Sequence, residues 1–221
     1  MTIRLFDENP YDGNFQAIVT FLGEGFIILD KTLFYPLSGN QQCDKGTLNG
    51  VEVSTVEVDV QDKHHLDFNA PIKHFIDTKL FTQGQQVNGV IDESIRRKTM
   101  RLHTASHLVE HYLSLSADFI SVEGSFVNDK KDRTDYCLAE NLTADSLKKL
   151  EDTVNEFIGT GEPVSFKQQN NLRTWCCRDI QMPCCGTHVK NISEVGEIKL
   201  TKKNKGKGIN RIEIYLSDEN K

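Results

Sequence analysis

The chain has 221 residues, of which 38% are hydrophobic and 26% charged, and its formal net charge is −6. That length suits one large domain or two small ones with real cores, and the acidic balance argues against indiscriminate coating of nucleic acid. No apolar run reaches the roughly 18–20 residues that span a bilayer. The start, MTIRLFDENP, lacks the basic-then-apolar layout of a secretory signal, so a cytoplasmic protein is expected. In a reducing compartment its six cysteines are expected as thiols or metal ligands rather than disulfides.

In chain order, the first ~90 residues read as β structure. FQAIVTF and GFIILD are apolar, β-branched runs separated by the hairpin signal LGEG. GTLNGVEVSTVEVDV predicts a second hairpin at Asn49-Gly50, and HHLDF and VNGVID are further short strands. Several short strands with turn signals predict a small barrel over residues 1–90. The pattern then changes. Ser94 to about Ser116 contains neither Gly nor Pro, and its apolar residues Ile95, Leu102, Ala105, Leu108, Val109, Tyr112 and Leu113 recur at helical spacing. Asp92 or Ser94 is the candidate cap. FISVEGSFVNDKKDRTDYCLA reads as two strands about an Asn-Asp-Lys turn. A second helix is expected from an N-cap at Thr143 to just before Gly159, followed by strands at PVSFKQQ, GEIKLTK and NRIEIYL. The expected fold class is therefore α+β, with a small N-terminal β-barrel (1–90) followed by an α+β domain (91–221).

Two clusters carry chemistry. His103 and His107 lie four apart on the long helix, one turn apart on one face, close enough to share a metal. No Glu follows the first His, so the general base of the H-E-x-x-H proteases is absent. Near the C-terminus, PCCGTH places Cys184 four residues before His188, in a segment that Pro183 and Gly186 mark as a turn. Alone, this cluster could serve a disulfide, a reactive thiol or a metal. Adjacent cysteines bond to each other only with strain. Three histidines and a cysteine together form a set that zinc accepts in tetrahedral geometry. His64, His65, His74 and His111 read as surface or core residues. Cys176 and Cys177, beside Arg178, are a weaker thiol candidate.

The acidic chain also has basic stretches. IKLTKKNKGKGINRI holds Lys199, Lys202, Lys203, Lys205, Lys207 and Arg211, and SIRRKTMRLH holds Arg96, Arg97, Lys98 and Arg101. Such patches suit a phosphate backbone met at one surface; the alternative is a solvated hairpin.

RLHTASHL, followed about 80 residues later by CCGTHV, resembles the HxxxH and CxxxH signatures of the alanyl-tRNA synthetase editing domain and its free-standing AlaX-type relatives. FYPLSGNQQCDKG resembles that family's glycine-rich FYPxGGGQPxDxG loop, with Ser38-Gly39-Asn40 where three glycines precede the glutamine. ESIRRKTMRLHTASHL, EGSFVNDKKDRTDYCL and NISEVGEIKLTKKNKGKGINRIEI also match in order and spacing. Cys185 stands where the family has glycine. The resemblance implies a stand-alone, zinc-dependent aminoacyl-tRNA deacylase of the longer, barrel-bearing subtype. Its implied zinc ligands are His103, His107, Cys184 and His188. The implied partner is tRNA(Ala) carrying a wrong amino acid, serine foremost, with glycine next. Gln41, Thr104, Ser125 and Thr187 are candidate substrate contacts, and Arg96, Arg97, Lys202, Lys203, Lys205 and Lys207 candidate tRNA contacts. Two other readings stand beside it: a non-catalytic tRNA-binding module with structural zinc, and editing of Ser-tRNA(Thr), because the threonyl-tRNA synthetase editing domain shares both signatures.

Overall fold

The computed structural model describes residues 1–59, 70–169, 172–206 and 208–219. The chain divides into two compact units, one built on Met1–Arg97 and the other on Lys98–Gln168 and Leu172–Lys221. HHLDF, with His64 and His65, and Lys207 lie outside the described residues.

In the first unit, β1 (Ile3–Arg4) leads into a short helix, α1 (Leu5–Glu8), and pairs in parallel with β4 (Lys31–Thr32). The main sheet contains β2 (Asn14–Leu22), β3 (Phe26–Leu29), β5 (Gly46–Leu48), β6 (Val51–Glu52), β7 (Thr55–Val58), β8 (Ile72–Phe75) and β9 (Gln86–Ile91). Alternation does the sorting. Phe15, Ala17 and Val19 of β2 point into the core while Asn14, Gln16 and Ile18 stay exposed, because side chains alternate across a strand. Gly89 is required opposite Phe15, where a Cβ would lie 2.1 Å from the ring. The hairpin expected at Asn49-Gly50 forms, both residues having positive φ and Leu48 pairing with Val51.

The expected barrel does not close. Among the described residues the strand order is β6-β5-β9-β2-β3-β8-β7, an open sheet whose ends are not paired to each other. The reason lies in β2, which pairs with β9 along Asn14–Ile18 and switches to β3 from Val19 onward. The sheet thus folds across one long strand around a shared core of Phe15, Ile27, Leu29, Phe34, Val56 and Val87. Its edges β6 and β7 are consecutive short strands separated by Val53 and Ser54, and each is paired to a different neighbour, β6 to β5 and β7 to β8.

Arg96 and Asp44 anchor the glycine-rich-like loop. Arg96 Nε donates to Asp44 Oδ1 at 2.8 Å, Nη2 contacts Asp44 Oδ2, and Nη1 reaches the Pro10 carbonyl at 2.9 Å. Asp44 Oδ2 also accepts from Tyr35 N–H. Within the loop, Gly39 (φ 56°) and Asn40 (φ 61°) form a turn closed by Gln41 N–H donating to the Ser38 carbonyl at 3.0 Å. The two left-handed positions fall on the residue types that tolerate them, and Ser38 is not among them.

In the second unit, α2 (Glu93–Ser114, entered from the first unit) is followed by β10 (Phe119–Val127), β11 (Asp132–Leu138), α3 (Ala144–Gly159), β12 (Val164–Gln169), β13 (Leu172–Cys177), β14 (Ile180–Pro183), β15 (Ile198–Gly206) and β16 (Ile209–Leu216). One sheet runs β10-β11-β16-β15, and a smaller one runs β12-β13-β14. Thr143 caps α3, its side chain accepting from Ser146 N–H. The helix then satisfies part of the edge of β15: Asn155 bonds both the N–H and the carbonyl of Ile198, and Glu151 Oε2 accepts from Leu200 N–H. The fold is mixed α+β with strands predominating.

His74 supplies a test of the first unit's core. It is fully buried, its Nε2 lies 2.9 Å from Thr32 Oγ1, and burial lowers its pKa from 6.5 to about 4. A depressed histidine pKa adds stability above pH 6.5 that is lost as pH falls through about 4. His74→Gln should therefore flatten the decline in unfolding free energy between those pH values, measured by urea titration; an unchanged slope would assign that decline to other groups.

Candidate metal centre

The centre is built by one helix and one loop of the second unit. On α2, Met100, Leu102, Ala105, Leu108 and Val109 are buried, which holds the helix in a fixed rotation. His103 and His107 then stand one turn apart with ring centroids 5.1 Å from each other. The loop begins at the end of a hairpin that the sequence pattern does not predict. β13 and β14 pair Trp175 with Met182 and Thr174 with Pro183, across a turn in which Arg178 has φ 50°. Cys184 N–H donates to the Arg173 carbonyl at 2.9 Å, and the chain leaves the hairpin as Cys184–His188.

Hydrogen bonds at two atoms, Cys184 Sγ and Thr104 Oγ1, shape the donor set. Gly186 N–H donates to Cys184 Sγ at 3.3 Å. Thr104 Oγ1 lies 2.9 Å from the Met100 carbonyl, accepts from Val189 N–H at 3.3 Å, and lies 3.1 Å from His188 Nδ1. Its single proton goes to the Met100 carbonyl, so the network assigns the other proton to His188 Nδ1 and leaves Nε2 with a free lone pair. That Nε2 is 3.2 Å from Cys184 Sγ, which in turn is 3.6 Å from His103 Nε2. The donor atoms of His103, His107, Cys184 and His188 all lie within 4.8 Å of one another. Three nitrogens and a sulfur converging with no carboxylate form a set that a borderline-soft cation accepts. His107 Nδ1 is buried without a hydrogen-bond partner, as expected of a ring ordered for something other than the protein's own network.

Burial sets the protonation. It lowers His103 to about 4 and takes His107 and His188 well below 6.5, so all three rings are neutral near pH 7, the form that coordinates. It pushes the Cys184 thiol up to about 12, opposed by the Gly186 N–H and by Arg173. Metal binding at neutral pH would displace that proton.

Of the other residues singled out from sequence, Thr104 and Thr187 are buried in the segments that carry the donors. Ser125 is half-buried on β10, opposite Thr134 of β11. Gln41 is buried in the first unit's turn. Arg96 is only 1% exposed and is committed to Asp44, so it is not a surface cation; the sequence cannot show that the helix turns it inward. Arg97 stacks on Tyr11 at 3.8 Å. Lys202 Nζ donates to the Leu142 carbonyl, Lys203 lies 3.2 Å from Glu213, and Lys205 is exposed. Sequence reasoning missed Arg173 and Trp175, which border the cluster. It also missed Asp132, whose Oδ1 accepts from Thr134 and whose pKa burial raises to about 7. Only their position on β11 and β13 reveals them.

The site is thus a buried His/Cys centre carried by an α+β domain. Residues 179–213 match the model described as the threonyl and alanyl tRNA synthetase second additional domain, and residues 5–95 match that of class II (A) tRNA synthetases. The chain is 34% identical to the alanyl-tRNA editing protein AlaX-M of Pyrococcus horikoshii, over 98% of each chain. It is 32% identical to the alanine–tRNA ligase of Methanococcus vannielii and 30% identical to that of Ignicoccus hospitalis; both alignments cover 96% of this chain but only 26% of the ligase. The chain belongs to the AlaX family of alanyl-tRNA editing proteins.

Trp175 makes the centre observable. It is the sole tryptophan, and its ring centroid lies 4.9 Å from that of His107 and 5.9 Å from that of His188. Zn2+ added to metal-free protein should alter its emission, and Co2+ should quench it. Cys185→Gly should leave the titration curve unchanged while Cys184→Ser weakens it at least tenfold; the reverse pattern would place the ligand one residue later.

Proposed function

We propose that this protein is a trans-editing hydrolase that deacylates mischarged tRNA(Ala), with Ser-tRNA(Ala) the principal substrate and Gly-tRNA(Ala) a secondary one, and that its His/Cys centre holds zinc. The observation that carries the reading is the convergence of His103, His107, Cys184 and His188, in a chain that AlaX-M matches end to end.

An aminoacyl ester is already an activated electrophile, so the protein has mainly to position it. When bound, zinc would act as a Lewis acid towards the ester carbonyl. Thr104 fixes the His188 ring through Nδ1 and so keeps Nε2 turned to the centre. Because its hydroxyl is already engaged with Met100, Val189 and His188, Thr104 is assigned the orienting role and not contact with the substrate. Ser125 and Thr187 are the proposed partners of the serine hydroxyl. Gln41 is kept as a candidate contact to the tRNA end on the family resemblance alone. The selectivity argument is general: serine exceeds alanine by one hydroxyl, which a synthetic site excludes poorly, whereas a second site that hydrogen-bonds the hydroxyl gives alanine no such reward.

The decisive measurement is release of serine from Ser-tRNA(Ala). His103→Ala and Cys184→Ala should each lower the rate by two orders of magnitude or more, with zinc content falling in parallel. Wild-type turnover in both variants would remove the centre from the reaction. Comparing Ser-tRNA(Thr) in the same assay separates this reading from editing for threonine, and binding of Ser-tRNA(Ala) without hydrolysis would point to a non-catalytic module.

For tRNA contact we propose Arg97, Lys203, Lys205 and Lys207, with Lys202 contributing less because its amine already meets the Leu142 carbonyl. Replacing Lys203 and Lys205 together by Ala should weaken tRNA binding and reduce the slope of log K against log salt by about 0.7–0.9 for each phosphate that is no longer neutralised. An unchanged slope would take both lysines off the interface.

A further inference from the structure

We propose that Arg173 is a positioning residue for the Cys184–His188 ligand loop, acting through the bond from its guanidinium to the Gly186 carbonyl while it rests on the Phe166 ring. The proposal builds on the zinc reading and adds a residue to which neither sequence motif points.

Arg173 is 4% exposed, and burying a guanidinium is costly unless its donors are used. Nη1 donates to the Gly186 carbonyl at 2.8 Å, and Cζ lies 3.6 Å from the centroid of Phe166 on β12. The residue's own carbonyl accepts from Cys184 N–H. Main chain and side chain of one residue therefore hold the loop at two points, one at the first ligand and one at the glycine two residues on. Between those points the loop turns so that Gly186 N–H reaches back to Cys184 Sγ. Holding the Gly186 carbonyl fixes the peptide that leaves Gly186, while the N–H of the peptide that enters it is held on Cys184 Sγ, so the two bonds together restrict the backbone of Gly186 and the direction from which the sulfur is met. Phe166 completes the support: its ring centroid is 5.9 Å from that of His188, so one aromatic side chain backs both the arginine and the second ligand of the loop.

The charge has a second effect in the same place. The guanidinium is close enough to act on His103, Cys184 and His188, where it opposes protonated rings and supports a thiolate. It also repels an incoming cation, so charge alone would not favour metal, and the bond to Gly186 is what makes the residue useful. Lysine would keep the charge but could not lie against a ring and donate sideways in one plane as guanidinium does.

The test compares Arg173→Met and Arg173→Lys with the wild type by chelator competition for Zn2+ and by the near-ultraviolet thiolate-to-cobalt absorption of the Co2+ form. Methionine, which keeps the packing volume, should lower Zn2+ affinity by about ten- to a hundredfold and shift or weaken the cobalt–thiolate band. Lysine should fall between methionine and the wild type. Wild-type affinity and an unaltered band in both variants would overturn the proposal; if the methionine variant does not fold, wild-type behaviour of the lysine variant overturns it alone. Failure of the wild-type protein to bind zinc would instead defeat the underlying metal reading, so the two failures are distinguishable.

Discussion

Three bonds at one hydroxyl hold the centre together. His103 and His107 belong to α2, and Cys184 and His188 belong to a loop some eighty residues later, so chain connectivity does nothing to keep the pairs in contact. Thr104 Oγ1 ties α2 to that loop at both His188 Nδ1 and Val189 N–H, while bonding back to its own helix at Met100. It sits on the turn between the two helical ligands, so any rotation of α2 that moved the histidines would also break the tie. Helix rotation, ring tautomer and loop position are thereby a single degree of freedom. That coupling matters in a largely buried site, where a misplaced imidazole would be a desolvated polar group without a partner.

What could be read in advance followed from local periodicity. The long helix was legible because its apolar residues recur with one period over more than five turns, and the Asn49-Gly50 hairpin because few residues accept positive φ at consecutive positions. The β13–β14 hairpin was not legible. Its turn places Arg178 at φ 50°, where the usual signal would be Gly or Asn, and its strands contain Trp175, Cys176 and Cys177, which are buried together rather than alternating. Closure of the sheet was equally hidden. Whether successive strands curl into a barrel depends on where a long strand exchanges partners, and β2 does so at Val19, in mid-run with no glycine or proline to mark it.

The basic segments show a different limit. Counted along the chain, residues 198–212 are rich in lysine and contain no acid. In the sheet, however, β15 and β11 flank β16, so Arg211 meets Asp135 at 2.6 Å, and Glu213 lies against both Lys131 and Lys203. Cross-strand register brings in carboxylates that linear distance keeps away. Lys131 draws Glu213 down to about 2, which keeps this carboxylate ionised and its neighbouring lysines partly neutralised throughout the physiological range. A positive stretch of sequence thus becomes a mixed surface, and its net field is set by the exposed lysines that remain.

The vicinal cysteines show how the fold selects one of two identical side chains. Both are half-buried, so exposure does not distinguish them. Cys184 is the residue whose N–H completes the hydrogen bonding of β13 at Arg173, which pins its Cα at the end of the hairpin and aims its sulfur at His103 and His188. Cys185 follows in the loop beyond the strand, and among the described residues it is the Cys184 sulfur that joins the three histidines in the donor cluster. The sulfur of Cys184 then receives the Gly186 N–H from the following turn, a bond that requires the chain to reverse after Cys185. Register at the end of one short strand therefore decides which thiol belongs to the centre, and the same register brings the Arg173 side chain to the Gly186 carbonyl. Ligand choice and ligand support come from one piece of backbone geometry.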